Sequence, residues 1–289
     1  MANVLVELLD LLRLERIEHD IFRGQSQDLG WGNVFGGQVL GQALSAAEQT
    51  VPDDRIAHSM HGYFLRTGNA KKPIVYEVDR IRDGKSFTTR RVVAIQDGEA
   101  IFTMAASFQL HEDGFEHRAD KPDAPGPDGL LSEVELARRF ADRIPAAFRE
   151  QATCDRPIEI RATTPYDPLH PTVTPPERKV WYRAVDRLPD RPSVHQYLLA
   201  YASDFNLLGV TMQPHGVSWM VPGMHVASLD HSIWFHRPFR LDDWLLYTID
   251  SPSASGSRGL ARGQFFTQDG LLVASTAQEG LIRRRTGTR

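Results

Sequence analysis

A chain of 289 residues, 41% hydrophobic and 24% charged, has an ordinary globular composition and is long enough for one large domain or two smaller ones. Its formal charge of −4 gives no global field for gripping nucleic acid, so an anionic ligand has to meet a local cationic patch. The one cysteine, Cys154, excludes an intramolecular disulfide and a Cys-rich zinc site and fits a reducing cytoplasm.

Residues 4–14 are broken by Glu7, Asp10 and Arg13 and do not resemble a secretory leader. No run approaches the ~18 apolar residues of a membrane span. The final Gly287-Thr288-Arg289 is not a peroxisomal address. The expectation is a cytoplasmic protein with no membrane insertion.

Residues 36–51 predict a buried helix, with Val39, Ala43, Ala46 and Ala47 on one face. Strands are expected at 57–66, 74–81, 87–95 and 100–110. Pro122, Pro125, Gly126 and Pro127 mark residues 121–129 as a linker, and 131–151 predicts a peripheral helix. A strand at 158–162 opens the second half. A helix over 195–208 follows, with Ser193 as its expected cap and Leu198, Tyr201, Ala202 and Phe205 on one face. Further strands are expected at 225–235, 244–250, 259–267 and 271–283. The division reads as an N-terminal repeat (1–112), a linker (113–155) and a C-terminal repeat (156–289).

The two halves repeat each other. Gln96-Asp97-Gly98 recurs as Gln268-Asp269-Gly270 at an offset of 172, each a hairpin turn signal. Tyr63-Phe64-Leu65-Arg66 recurs as Trp234-Phe235-His236-Arg237, and Val78-Asp79 as Ile249-Asp250, both at 171. Ordered matches with nearly equal offsets argue for duplication. Two helices each lying on a curved antiparallel sheet make an α+β layer arrangement, and edge-to-edge pairing of the halves would remove two exposed edges.

Several chemistry-bearing motifs are absent. There is no Gly-x-Ser-x-Gly elbow and no Walker loop, and residues 30–36 only imitate a dinucleotide fingerprint. His58 and His61, and the group His225, His231 and His236, lack the spacing of a zinc pair and read as ordinary strand histidines. No metal or cofactor is expected. Three polar residues stand in apolar stretches: Asp204 within a helical run, Ser228 at the head of a strand and Gln278 in Val273-Ala274-Ser275-Thr276-Ala277-Gln278. Taken singly, each could simply face solvent.

The long run Ala227-Ser228-Leu229-Asp230-His231-Ser232-Ile233-Trp234-Phe235-His236-Arg237, with Asp243-Trp244-Leu245-Leu246-Tyr247 and Ala274-Ser275-Thr276-Ala277-Gln278-Glu279-Gly280, resembles the acyl-CoA thioesterase II family. Phe35-Gly36-Gly37-Gln38-Val39-Leu40-Gly41-Gln42-Ala43 resembles that family's first-helix motif. The resemblance spans nearly the whole chain. It implies a double hotdog fold, acyl-CoA as substrate, and a catalytic Asp, Ser or Thr, and Gln at Asp204, Ser228 and Gln278.

Such a set suits the chemistry. A thioester is already electrophilic, and its thiol leaves with a pKa of ~8.5, so an oriented water and a base suffice; the alternative is direct attack by Asp204 to give an anhydride. Candidate substrate contacts are Gly36 and Gly37, with Arg66, Arg237 and the tail Arg283-Arg284-Arg285 for the polyanionic coenzyme. The repeat offsets map Gln278 to Ala106 and Ser228 to Ala57, which argues for one working site per chain; Asp204 maps to Asn33 or, by helix alignment, near Ala47 or Glu48. The alternatives are a hotdog enoyl-CoA hydratase, for which Asp204 lacks a near His, and a non-catalytic acyl-CoA-binding protein, which predicts erosion of the three polar residues. Trp181 and Tyr182 are expected on uncovered strands, and with them a homo-oligomer, a dimer or tetramer.

Overall fold

The computed structural model describes residues 3–285, so the terminal tripeptide considered above lies outside them. The chain opens with a helix and a two-stranded hairpin beyond the elements expected. Helix α1 (Asn3–Leu12) buries Leu5, Leu8 and Leu12 at helical spacing. A hairpin of β1 (Glu15–Glu18) and β2 (Ile21–Gly24) follows.

The first half continues with α2 (Gly36–Glu48), β3 (Arg55–Phe64), β4 (Ile74–Asp83), β5 (Phe87–Gln96) and β6 (Glu99–Leu110). The expected peripheral helix is two short ones, α3 (Glu133–Arg139), held by a capping box of Ser132 and Glu135, and α4 (Ala146–Thr153). The second half holds β7 (Ile158–Ala162), β8 (Glu177–Ala184), α5 (Pro192–Ser203), a 3-10 segment (Leu208–His215), β9 (Met224–Ser228), β10 (Asp230–Phe235), β11 (Leu245–Ser255), β12 (Arg258–Thr267) and β13 (Leu272–Arg284). Ser193 does not cap α5: Pro192 opens the helix, where its missing N–H costs nothing, and the Ser193 hydroxyl has no partner.

One antiparallel sheet runs through both halves in the order β1-β2-β4-β5-β6-β3-β10-β13-β12-β11-β8-β7, with β9 on β13. The halves join where β3 pairs β10, His61 opposite Ser232. These two residues are repeat mates, since 232 − 61 = 171, so the join lies on a pseudo-twofold axis. The repeat also holds in register. His61 faces Ala105 on β6 as Ser232 faces Ala277 on β13. This is the double hotdog implied by the resemblance.

Inside the curved sheet α2 and α5 lie antiparallel and nearly touching. A Cβ on Gly37 would come within 2.2 Å of the Tyr201 carbonyl oxygen, and one on Gly41 within 2.9 Å of that of Tyr197. Alanines fill the rest of the contact: Ala43, Ala46, Ala47, Ala200 and Ala202 are all fully buried. The expectation that Trp181 and Tyr182 lie uncovered is wrong. Trp181 sits beneath the linker, donating its indole N–H to the Pro125 carbonyl at 2.8 Å, with Ala124 and Leu130 packed against its cluster. Tyr182 points inward, its hydroxyl donating to the Phe205 carbonyl at 3.1 Å. The proline-rich segment therefore covers an apolar face that the strand pattern alone leaves open.

Candidate active site

Asp204, Ser228 and Gln278 come from three separate elements and meet at one point. The Gln278 Nε2 donates to Asp204 Oδ1 at 3.1 Å and to Ser228 Oγ at 2.5 Å. Asp204 is not mid-helix, as expected, but caps the C-terminal end of α5. The chain turns away two residues later at Asn206, whose φ is 64°. Across the helix pair, the N-terminus of α2 faces this carboxylate, and the Gly37 N–H is among the groups that favour its charge. Gly36 lies equally close: a Cβ there would meet Asp204 Oδ2 at 2.7 Å. Both glycines proposed as substrate contacts thus border the carboxylate, and their lack of side chains makes room for it.

A β-bulge decides which side chains share this face. The expected single strand at 225–235 is broken at Leu229. Ser228 pairs Gly280 on β13, whereas Ser232 pairs Ala277, so the register slips by one residue between them. A one-residue slip reverses the faces of everything beyond it. In an unbroken strand Ser228 and His231 would point to opposite sides. With the slip, both lie alongside Gln278 on the inner face.

His231, read from sequence as an ordinary strand histidine, is wholly buried here. Its Nδ1 lies 2.7 Å from Gln278 Oε1 and its Nε2 lies 2.9 Å from the Ser203 hydroxyl. Only its inward position on a bulged strand could have singled it out, and bulges are not legible in composition. Burial raises the Asp204 carboxyl above the ordinary carboxylate range, against the opposing pull of His231, Gln278, the Gly37 N–H and Ser228. Burial likewise lowers His231 below the usual imidazole value, against the pull of Asp204.

The candidate arginines are separated. Arg66 lies two residues past Phe64, whose N–H donates to the Leu229 carbonyl; it is half exposed, paired with Glu99 and donates to the Ala100 carbonyl. Arg237 leaves the opposite end of β10, six residues past His231 and so about 20 Å away at a strand's rise. There it donates to the Leu272 and His117 carbonyls. The structure does not bring Arg237 to this site. Arg284 continues the β13 ladder past Gly280, opposite Met224. With Arg258, Met212, Met224 and Ile282 it lines a cleft of about 350 Å³.

The equivalent place in the first half carries no such chemistry. The same bulge recurs at His58, and it brings Ala57, Met60 and Ala106 where the second half has Ser228, His231 and Gln278. Arg90, opposite Ala106 as Ala261 is opposite Gln278, fills the space. It is fully buried and bonded to Thr50, Asp83 and the Arg82 and Thr89 carbonyls. Helix alignment in the sequence points near Ala47 or Glu48 for the counterpart of Asp204; the helix ends set Gln49 there, and the neighbouring Glu48 carboxylate is taken by Arg191 at 2.6 Å. Among the described residues no group of three or more His, Cys, Asp or Glu could hold a metal ion.

Two family models match the chain, an acyl-CoA thioesterase model over residues 147–281 and an acyl-CoA thioesterase N-terminal domain model over 26–109. The chain is 45% identical to acyl-CoA thioesterase 2 of Haemophilus influenzae, over 98% of this chain and 99% of that one. Among solved structures it is similar to acyl-CoA thioesterase II TesB2 from Mycobacterium marinum, at 43% identity and a TM-score of 0.79 over 97% of this chain and 100% of that one. A conserved protein with a hot dog fold from Alicyclobacillus acidocaldarius, 18% identical with a TM-score of 0.73 over 97% and 99% of the two chains, shares the fold.

Proposed function

The chain belongs to the acyl-CoA thioesterase family and hydrolyses acyl-CoA thioesters, and from that premise we propose that Asp204, Ser228 and Gln278 are its catalytic residues. The observation that carries the proposal is the Gln278 amide nitrogen bonded at once to Asp204 and Ser228. In this reading the amide and the hydroxyl orient a water against the thioester carbonyl. Asp204 takes one proton from that water as its oxygen bonds to the carbonyl carbon. The tetrahedral intermediate expels the coenzyme A thiolate, which recovers the proton from Asp204, and the free acid is released. Burial favours this step, because a carboxylate raised above its ordinary range is a stronger base.

A hydratase needs a histidine nitrogen open to the substrate, and both nitrogens of His231 are already engaged. A non-catalytic binder has no reason to keep the three polar residues in mutual contact. For the coenzyme we propose Arg66, which follows the end of β3 that meets Leu229, with Arg258 and Arg284 at the rim of the cleft along β13. We also infer a cytoplasmic protein of lipid metabolism, in keeping with the free Cys154.

The test is Asp204→Asn. It keeps the shape and removes the base, so kcat should fall by about 10²–10⁴-fold with KM little changed. Near-normal release of thiol from the best acyl-CoA would overturn the assignment.

A further inference from the structure

With Asp204 ionised, the hydrogen bonds around Gln278 have a direction that only one arrangement of protons satisfies. A carboxylate accepts and never donates, so the end of the amide facing Asp204 Oδ1 is the nitrogen. The other end is then the carbonyl oxygen, also an acceptor. The ring nitrogen 2.7 Å from it, Nδ1 of His231, therefore carries a proton and donates. Beyond the ring, Ser203 lies within reach of both His231 Nε2 at 2.9 Å and the Ala200 carbonyl at 3.0 Å. With a neutral ring the Ser203 hydroxyl donates to Nε2. With a protonated ring Nε2 donates to Ser203, and the hydroxyl turns to Ala200. In both states Nδ1–H stays on Gln278.

Resting on the catalytic assignment above, we propose that His231 is a positioning residue: its Nδ1–H holds the Gln278 amide in the one orientation that presents nitrogen to Asp204 and Ser228. A flipped amide would set its oxygen against the carboxylate, an unpaired and repulsive contact in a buried site. Without a donor on the far side, nothing but Asp204 itself opposes that flip, and Asp204 loses its charge each time it accepts a proton. The proton on His231 keeps the amide set through that moment. Both ring nitrogens of His231 are engaged by Gln278 and Ser203, so its effect passes through Gln278.

Two substitutions separate this role from mere packing. His231→Met copies the first half, where Met60 is fully buried at the equivalent place, and so fits the fold without a donor. His231→Asn puts an amide N–H where Nδ1–H stands. His231→Met should lower kcat by about 10–100-fold with KM unchanged. His231→Asn should restore kcat to within about 5-fold of the parent. In a Gln278→Ala background His231→Met should cost nothing further, because the group it positions is gone.

Equal losses for Met and Asn, or a full further loss in the Gln278→Ala background, would overturn the proposal. Near-normal turnover by Gln278→Ala would overturn the amide's role and His231's with it. A long-range nitrogen–proton NMR spectrum of the ring tests His231 independently of turnover. Protonated Nδ1 is expected, and a bare Nδ1 would overturn its role alone.

Discussion

The carboxylate of Asp204 stands at the C-terminal end of its own helix and before the N-terminal end of the antiparallel one, so the two helix dipoles act on it with opposite sign. Burial outweighs the donors that face it and leaves its carboxyl raised. Two consequences follow from the sign. As the base, Asp204 works only when ionised, so kcat should fall with acidification at a pH above the ordinary carboxylate range; a pH–rate profile still flat in that range would count against it. The same shift makes the ionised residue unfavourable to folding. That cost is fully present above the raised folded value and vanishes as pH drops toward the unfolded one. Asp204→Asn should therefore unfold at a higher temperature than the parent at pH 7, with the gain shrinking on acidification. A parent more stable than the variant at neutral pH would contradict this. Ser228→Thr, which keeps the hydroxyl, should be nearly silent in turnover, whereas Ser228→Ala should not be.

At the scale of elements, the contact of α2 with α5 sets the site, because it brings the first-half helix start to the second-half helix end. Its closeness depends on Gly37, where any Cβ would meet the Tyr201 carbonyl oxygen at 2.2 Å and the Phe35 ring at 2.4 Å, and the backbone contact cannot be relieved by a side chain turning aside. Gly37→Ala should accordingly cost at least about 1–3 kcal/mol of stability in denaturant titration. Gly98→Ala is a poor control because φ there is 78°; Gly114, with open space around its Cβ, serves instead. An unperturbed midpoint for Gly37→Ala would mean that the helices part at little cost and that their spacing does not define the site.

For the whole molecule, two repeats share one sheet but only one carries the chemistry. If the first-half position is inactive, filled by Arg90 and with its carboxylate tied to Arg191, then Glu48→Gln should leave kcat within about twofold of the parent. A large loss would mean that both halves turn over substrate. The outer face at the join exposes Tyr63 and Trp234, with His61 edge-on to Trp234 at 5.0 Å between ring centroids. An apolar patch astride a pseudo-twofold axis suits pairing with a second copy. We expect a homo-oligomer in light scattering at micromolar concentration, and a smaller species for Trp234→Arg. A monomeric parent would refute this.

Periodicity, turn signals and the repeat offset were enough to read two tandem helix-and-sheet units, because side-chain spacing is set by local backbone geometry that every strand and helix must obey. Asp204, Ser228 and Gln278 were legible as polar residues out of place, and their grouping came from the family resemblance rather than from spacing. What the tertiary structure alone decided is which faces they share. A one-residue bulge at Leu229 reverses the strand beyond it, placing Ser228 and His231 on the same side. The linker's cover over Trp181 and the separation of Arg237 from Arg66 are likewise contacts between residues remote in sequence. Such contacts depend on register and on packing across the sheet, and no local pattern carries that information.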